Sequence, residues 1–126
     1  MSEGEPRILV VEDESDTLLY LFDLLSAEGF RVDGTSNALE AIEYVTRRMP
    51  EVVLSDVRMP EMSGLELLDR IKRVSPKTKV LLLSAFADES TRLQALAKGG
   101  EELLEKTLSG RDLVKAVGRA LEGVSP

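Results

Sequence analysis

Cysteine and histidine are both absent from this chain. Their absence excludes disulfides, thiol nucleophiles, Cys/His zinc centres and a histidine general base together. Cations are the minority charge: 16 Lys and Arg stand against 23 Asp and Glu, a net charge of −7 at pH 7. A balance of that sign repels phosphate backbones and anionic lipid surfaces, so neither direct nucleic-acid binding nor membrane association is expected. Aromatic residues make up only 4%, and no aromatic stacking motif or basic stripe is present. No apolar run approaches the roughly 18 residues a membrane span requires. The opening Met1-Ser2-Glu3-Gly4-Glu5-Pro6 has neither a basic segment nor an apolar one, so it does not read as a signal peptide. A cytoplasmic protein is the resulting expectation.

What is present suffices for one domain. The chain has 126 residues, 43% of them hydrophobic and 31% charged. A chain of that size buries roughly two-thirds of the surface it exposes when unfolded, so a core forms without staples. Five short apolar runs recur: Arg7–Val11, Phe30–Gly34, Val52–Ser55, Lys79–Leu83 and the weaker Glu102–Glu105. Three of them are nearly continuous Val, Leu and Ile, the pattern of strands covered on both faces.

Segments with helical spacing lie between the runs. Leu18, Leu21, Phe22 and Leu25 form one stripe, ended by Gly29. Leu39, Ile42 and Val45 form the next, behind Asn37 as a cap with Glu40 three residues on. Leu65, Leu68 and Ile71 follow Ser63, with Glu66 at capping-box distance. Thr91–Lys98 and Leu113–Leu121 supply two more helices, the first stopped by Gly99-Gly100, the second capped by Ser109. Regular alternation of strand and helix predicts an α/β fold, a parallel sheet with helices on both faces joined by right-handed crossovers. The domain is expected to span residues 7–122, with 1–6 an amino-terminal tail and 123–126 a linker or simply the end of the chain.

In such sheets ligands bind beyond the carboxyl ends of the strands. The first run leads into Glu12-Asp13, the third into Asp56, the fourth into Ser84 and the fifth into Lys106. If the first and third strands are neighbours, three carboxylates crowd together and require a cation. A hard divalent ion suits oxygen ligands, and Mg²⁺ suits a site with few carboxylates and several waters. With Lys106 and the Ser84 hydroxyl added, the set reads as a site for a phosphoryl group.

Ile8-Leu9-Val10-Val11-Glu12-Asp13, Asp56-Val57-Arg58-Met59-Pro60 with Gly64, Leu83-Ser84-Ala85 and Lys106 together resemble the receiver domains of two-component response regulators, over nearly the whole chain. The resemblance implies a flavodoxin-like five-stranded parallel sheet of order 2-1-3-4-5. It implies Asp56 as phosphoacceptor from a sensor histidine kinase or phosphotransfer protein. It further implies Mg²⁺ on Asp13, Asp56 and the Arg58 carbonyl, with Glu12 acting through a water, and phosphoryl contacts from Ser84 and Lys106. Arg58 and Phe86 take the positions that modulate hydrolysis of the acyl phosphate, and their bulk predicts a long-lived phosphorylated form. Pro60 and Gly64 are expected to shape a turn, and Met59 and Met62 to pack or lie on a loop.

Three positions depart from the family pattern. Leu103 stands where an aromatic switch residue is usual, Thr107 where proline follows the lysine, and Gly99-Gly100 where Gly-Ala is usual. A non-proline bond after Lys106 is expected to be trans. All three changes surround the fourth helix, fifth strand and fifth helix, the face through which receivers signal and often dimerise. Ser84 and Leu103 are therefore the switch positions. The alternative reading is a degenerate receiver acting as a constitutive protein–protein interaction module. A Mg²⁺ phosphohydrolase is disfavoured, because neither Glu12-Asp13-Glu14 nor Asp56-Val57-Arg58 supplies an Asp-x-Asp pair. No output domain lies within these residues. The chain is expected to act alone on protein targets or as the amino-terminal domain of a longer regulator, with Met1 a natural start.

Overall fold

The computed structural model describes residues 5–122. Residues 1–4 of the expected tail and the 123–126 segment lie outside them. In chain order the elements are β1 (Arg7–Val11), α1 (Ser15–Ala27), β2 (Arg31–Thr35), α2 (Ala38–Arg48), β3 (Val52–Asp56), α3 (Gly64–Val74), β4 (Lys79–Ser84), α4 (Glu89–Ala97), β5 (Glu102–Glu105) and α5 (Gly110–Glu122). The strands form one parallel sheet in the order β2-β1-β3-β4-β5, the order that the resemblance to receiver domains implies.

Strand alternation divides the interior into two cores. Ile8, Val10, Val52, Leu54, Leu81 and Leu83 face α1 and α5, where Leu21, Leu25, Leu113 and Val117 meet them. Leu9, Val11, Val53, Val80 and Leu82 face the other way, against Val45, Leu67, Leu68, Ile71 and Ala95. Each fully buried aliphatic side chain contributes about 1.5–3 kcal/mol. Both faces of β1, β3 and β4 are thereby committed to packing, and their carboxyl ends are held in place.

The structure shifts several boundaries. β2 begins at Arg31 rather than Phe30 and runs on to Thr35, which pairs with Val11. Strands β3 and β4 each extend one residue further, through Asp56 and Ser84. Helix α4 begins at Glu89, capped by the Asp88 side chain on the Thr91 amide, two residues ahead of the expected start. The caps at Asn37, Ser63 and Ser109 are present. Leu39 is 56% exposed, and the inner face of α2 is Ala38, Ala41 and Val45 instead. Small residues let that helix approach the sheet closely, and the larger Leu39 is left outside. Phe22 also stands partly in solvent. Gly29 and Gly99 end their helices at φ +94° and +95°, the left-handed region that glycine enters without strain.

Candidate functional site

β1 and β3 are neighbours, with Val11 opposite Ser55. One step past that pair, Glu12 and Asp56 lie side by side. Carboxylate oxygens of Glu12, Asp13 and Asp56 fall within 4.8 Å of one another. Glu12 and Asp56 are 1% and 6% exposed, while Asp13 is open to solvent. The crowding expected from the sequence is present.

Lys106 reaches this cluster from the end of β5. Its Nζ lies 2.8 Å from Asp56 Oδ2, to which it donates, and 3.3 Å from Glu12 Oε1. The other oxygens are held by main chain: Arg58 N–H donates to Asp56 Oδ1 (3.1 Å) and Glu14 N–H to Glu12 Oε2 (3.2 Å). Glu12 Oε1 is buried and accepts no hydrogen bond. Burial, helped by the negative charge of Asp56, raises the Glu12 pKa above the ordinary carboxylate value, against the Glu14 amide and Lys106. Burial works to lower the Lys106 pKa, but the hydrogen bond to Asp56 and the charges of Glu12 and Asp56 outweigh it, and the net direction is upward.

Two local devices aim Asp56. Val57 N–H bonds Leu83 O (2.8 Å), anchoring the turn after β3 to β4, and Gly64 N–H bonds Val57 O (2.7 Å). A Cβ on Gly64 would overlap the Asp56 carbonyl oxygen and stand 2.8 Å from Val57 Cα. Glycine is thus required by the close approach of α3 to the residue bearing the carboxylate, which is a more specific role than shaping a turn. Met62 is buried in the adjoining core and Met59 packs against it.

Ser84 lies at the end of β4, 8% exposed, and its Oγ accepts the Phe86 N–H (3.1 Å). Among the described residues its hydroxyl makes no hydrogen bond to Asp56 or Lys106, although the Ser84 carbonyl accepts the Lys106 N–H (2.9 Å). Phe86 is 80% exposed, and Arg58 is also in solvent. Leu103 is half-buried against the α2–α3–α4 core, and the bond after Lys106 is trans. The amide of Glu14 was not foreseeable from side-chain chemistry. Its role follows from the turn between β1 and α1, which carries it back over Glu12.

The donor set fits a hard divalent cation: three carboxylates, one with a buried oxygen that lacks a hydrogen bond. Fold and site define a doubly wound signalling-type domain with an acidic, lysine-bridged pocket at the switch point of the sheet. The profile of the response regulator receiver domain family matches residues 8–118, and the chain belongs to that family. It is 36% identical over 121 residues to the transcriptional regulatory protein ZraR of Klebsiella oxytoca, covering 96% of this chain but 27% of that protein. It is 27% identical over 114 residues to the chemotaxis protein CheY of Thermotoga maritima, covering 90% of this chain and 95% of that one. The chain therefore spans about a quarter of one relative and nearly all of another. The crystal structure of a CheY-like receiver domain protein from Methanospirillum hungatei superposes with a TM-score of 0.90 at 25% identity, over 94% and 95% of the two chains. No helix among the described residues is long and apolar enough to cross a membrane.

Proposed function

We propose that this domain is a phosphorylation-operated switch in which Asp56 accepts a phosphoryl group from a phosphohistidine of a sensor kinase or phosphotransfer protein. The observation that carries this reading is the gathering of Glu12, Asp13 and Asp56 around Lys106. An Asp56 carboxylate oxygen attacks phosphorus, the P–N bond of the donor breaks, and the imidazole leaves with the electron pair. A carboxylate nucleophile has no proton to give up, so the chain needs no general base, in keeping with its lack of histidine.

Asp13, Asp56 and the Arg58 carbonyl are the residues that would hold Mg²⁺, with Glu12 behind a water. When bound, the ion offsets charge on the transferring phosphoryl oxygens. Lys106 supplies a fixed positive charge for the product, and Ser84 a hydroxyl whose proton is free to turn toward it. Arg58 and Phe86, both exposed, modulate attack of water on the acyl phosphate. The signal leaves through the α4–β5–α5 face, where Leu103 takes the usual aromatic position, toward a protein target, a second copy or an output domain beyond residue 122. Leu103, packed inward, also favours a second reading, a constitutive interaction module.

Intact mass after incubation with Mg²⁺ and phosphoramidate separates the two. Wild type should gain one phosphoryl group and Asp56→Asn none. A folded wild type that gains none would sink the switch reading and leave the interaction module.

A further inference from the structure

A cavity of about 320 Å³ opens between α1 and the turn from β5 into α5, beside the acidic pocket but outside it. Its floor is aliphatic: Leu21, Leu83 and Leu113 are buried, and Leu108 closes the end. Lys106 also lines it, with its ammonium engaged by Asp56 (2.8 Å) and Glu12 (3.3 Å). Tyr20 forms the wall, its hydroxyl 3.0 Å from where a Cβ on Gly110 would stand. A methyl group at 110 would push the phenol back by a few tenths of an ångström. The rim is acidic, with exposed Asp16 beside Glu14, whose Oε1 accepts the Thr17 hydroxyl (2.7 Å).

We propose that this cavity is a second binding site, for a small arylalkylamine: a planar apolar ring bearing an ammonium group on a short chain. The volume admits one ring system, at the lower end of small-molecule pockets. The aliphatic floor and the Tyr20 face favour a flat apolar body. The rim carboxylates select a cation and repel an anion of the same shape. None of Tyr20, Leu108 or Asp16 takes part in the phosphoryl chemistry, so the site is chemically separate. Lys106 both lines the cavity and bonds Asp56, and through it an occupant would be felt at the acidic pocket.

The test is a ¹H–¹⁵N titration of the whole chain, without Mg²⁺ or phosphodonor, using tryptamine and indole-3-acetate, which share a ring and differ in charge. Tryptamine should move the amides of Thr17, Tyr20 and Leu108 with a dissociation constant of roughly millimolar order, as expected for a fragment-sized ligand. Indole-3-acetate should bind at least about fivefold more weakly. Asp16→Asn, an exposed substitution that leaves the core intact, should weaken tryptamine about threefold or more. Leu108→Phe, which fills the floor, should abolish binding. Absence of shifts at these amides, equal binding of the two probes, or indifference to Asp16→Asn would each overturn the proposal. Because no phosphoryl transfer is involved, its failure would leave the role of Asp56 untouched.

Discussion

Glu12 is the residue where folding and charge are most at odds. It is almost completely buried, carboxylate oxygens of Asp13 and Asp56 lie within 4.8 Å, and its Oε1 has only the Lys106 ammonium, 3.3 Å away, as a partner. Its folded pKa lies above the ordinary carboxylate value of about 4.5. The protonated form therefore favours the fold: this group's contribution is fully present below pH 4.5 and is lost as pH rises through the folded pKa. In metal-free buffer, Glu12→Gln should be more stable than wild type at pH 7. The gap should close as pH falls toward 4.5, which urea unfolding at a series of pH values will show. At the same scale, Gly64→Ala forces a methyl into the Asp56 carbonyl. It should cost about 1–3 kcal/mol and slow phosphoryl gain in the intact-mass assay, because the carboxylate is displaced with its backbone. A variant phosphorylated at the wild-type rate would show that the β3–α3 approach does not set the position of Asp56.

Among the elements, α2 ends in a way the sequence does not advertise. Met49 adopts φ 45° and ψ 64° and is 60% exposed. A side chain in the left-handed region costs roughly 1–2 kcal/mol, and asparagine tolerates that region better. Met49→Asn should raise stability by about 0.5–1 kcal/mol in chemical denaturation, without altering phosphorylation. The same elements show what a linear reading can and cannot reach. The end of β1 was legible because its apolar run stops abruptly at Glu12, whereas β3 goes on pairing through the charged Asp56. The start of β2 was misplaced because Phe30 is apolar yet only packs against the first core ahead of the strand, after the Gly29 turn. In α4, Ala95 alone is buried, so periodicity had almost nothing to register and the Asp88 cap passed unread. In α2 hydrophobicity pointed to Leu39, whereas proximity to the sheet selects the small Ala38 and Ala41. The site side chains were legible because they sit at strand ends. The amides of Glu14 and Arg58 were not, because every residue but proline offers one and only the turn decides where it points.

For the whole molecule, a cation that binds only the folded form is a stabiliser. Mg²⁺ should raise the thermal midpoint of wild type in proportion to the logarithm of its excess over the dissociation constant. Asp13→Asn and Asp56→Asn should lose most of that rise in a thermal melt, and a full rise in both would place the ion elsewhere. The net charge of −7 makes some general cation effect unavoidable, so an equal ionic strength of NaCl is the proper reference.

The ion pair that closes the pocket joins residues 50 positions apart, Asp56 and Lys106. Read along the direction of synthesis, this sets an order of events. The three acids are translated by residue 56, while the lysine arrives with β5, the last strand laid onto the sheet. A chain cut short or still growing before that point has the three acids with no lysine to bridge them. Assembly of the pocket therefore waits for residue 106, however early its acids are made.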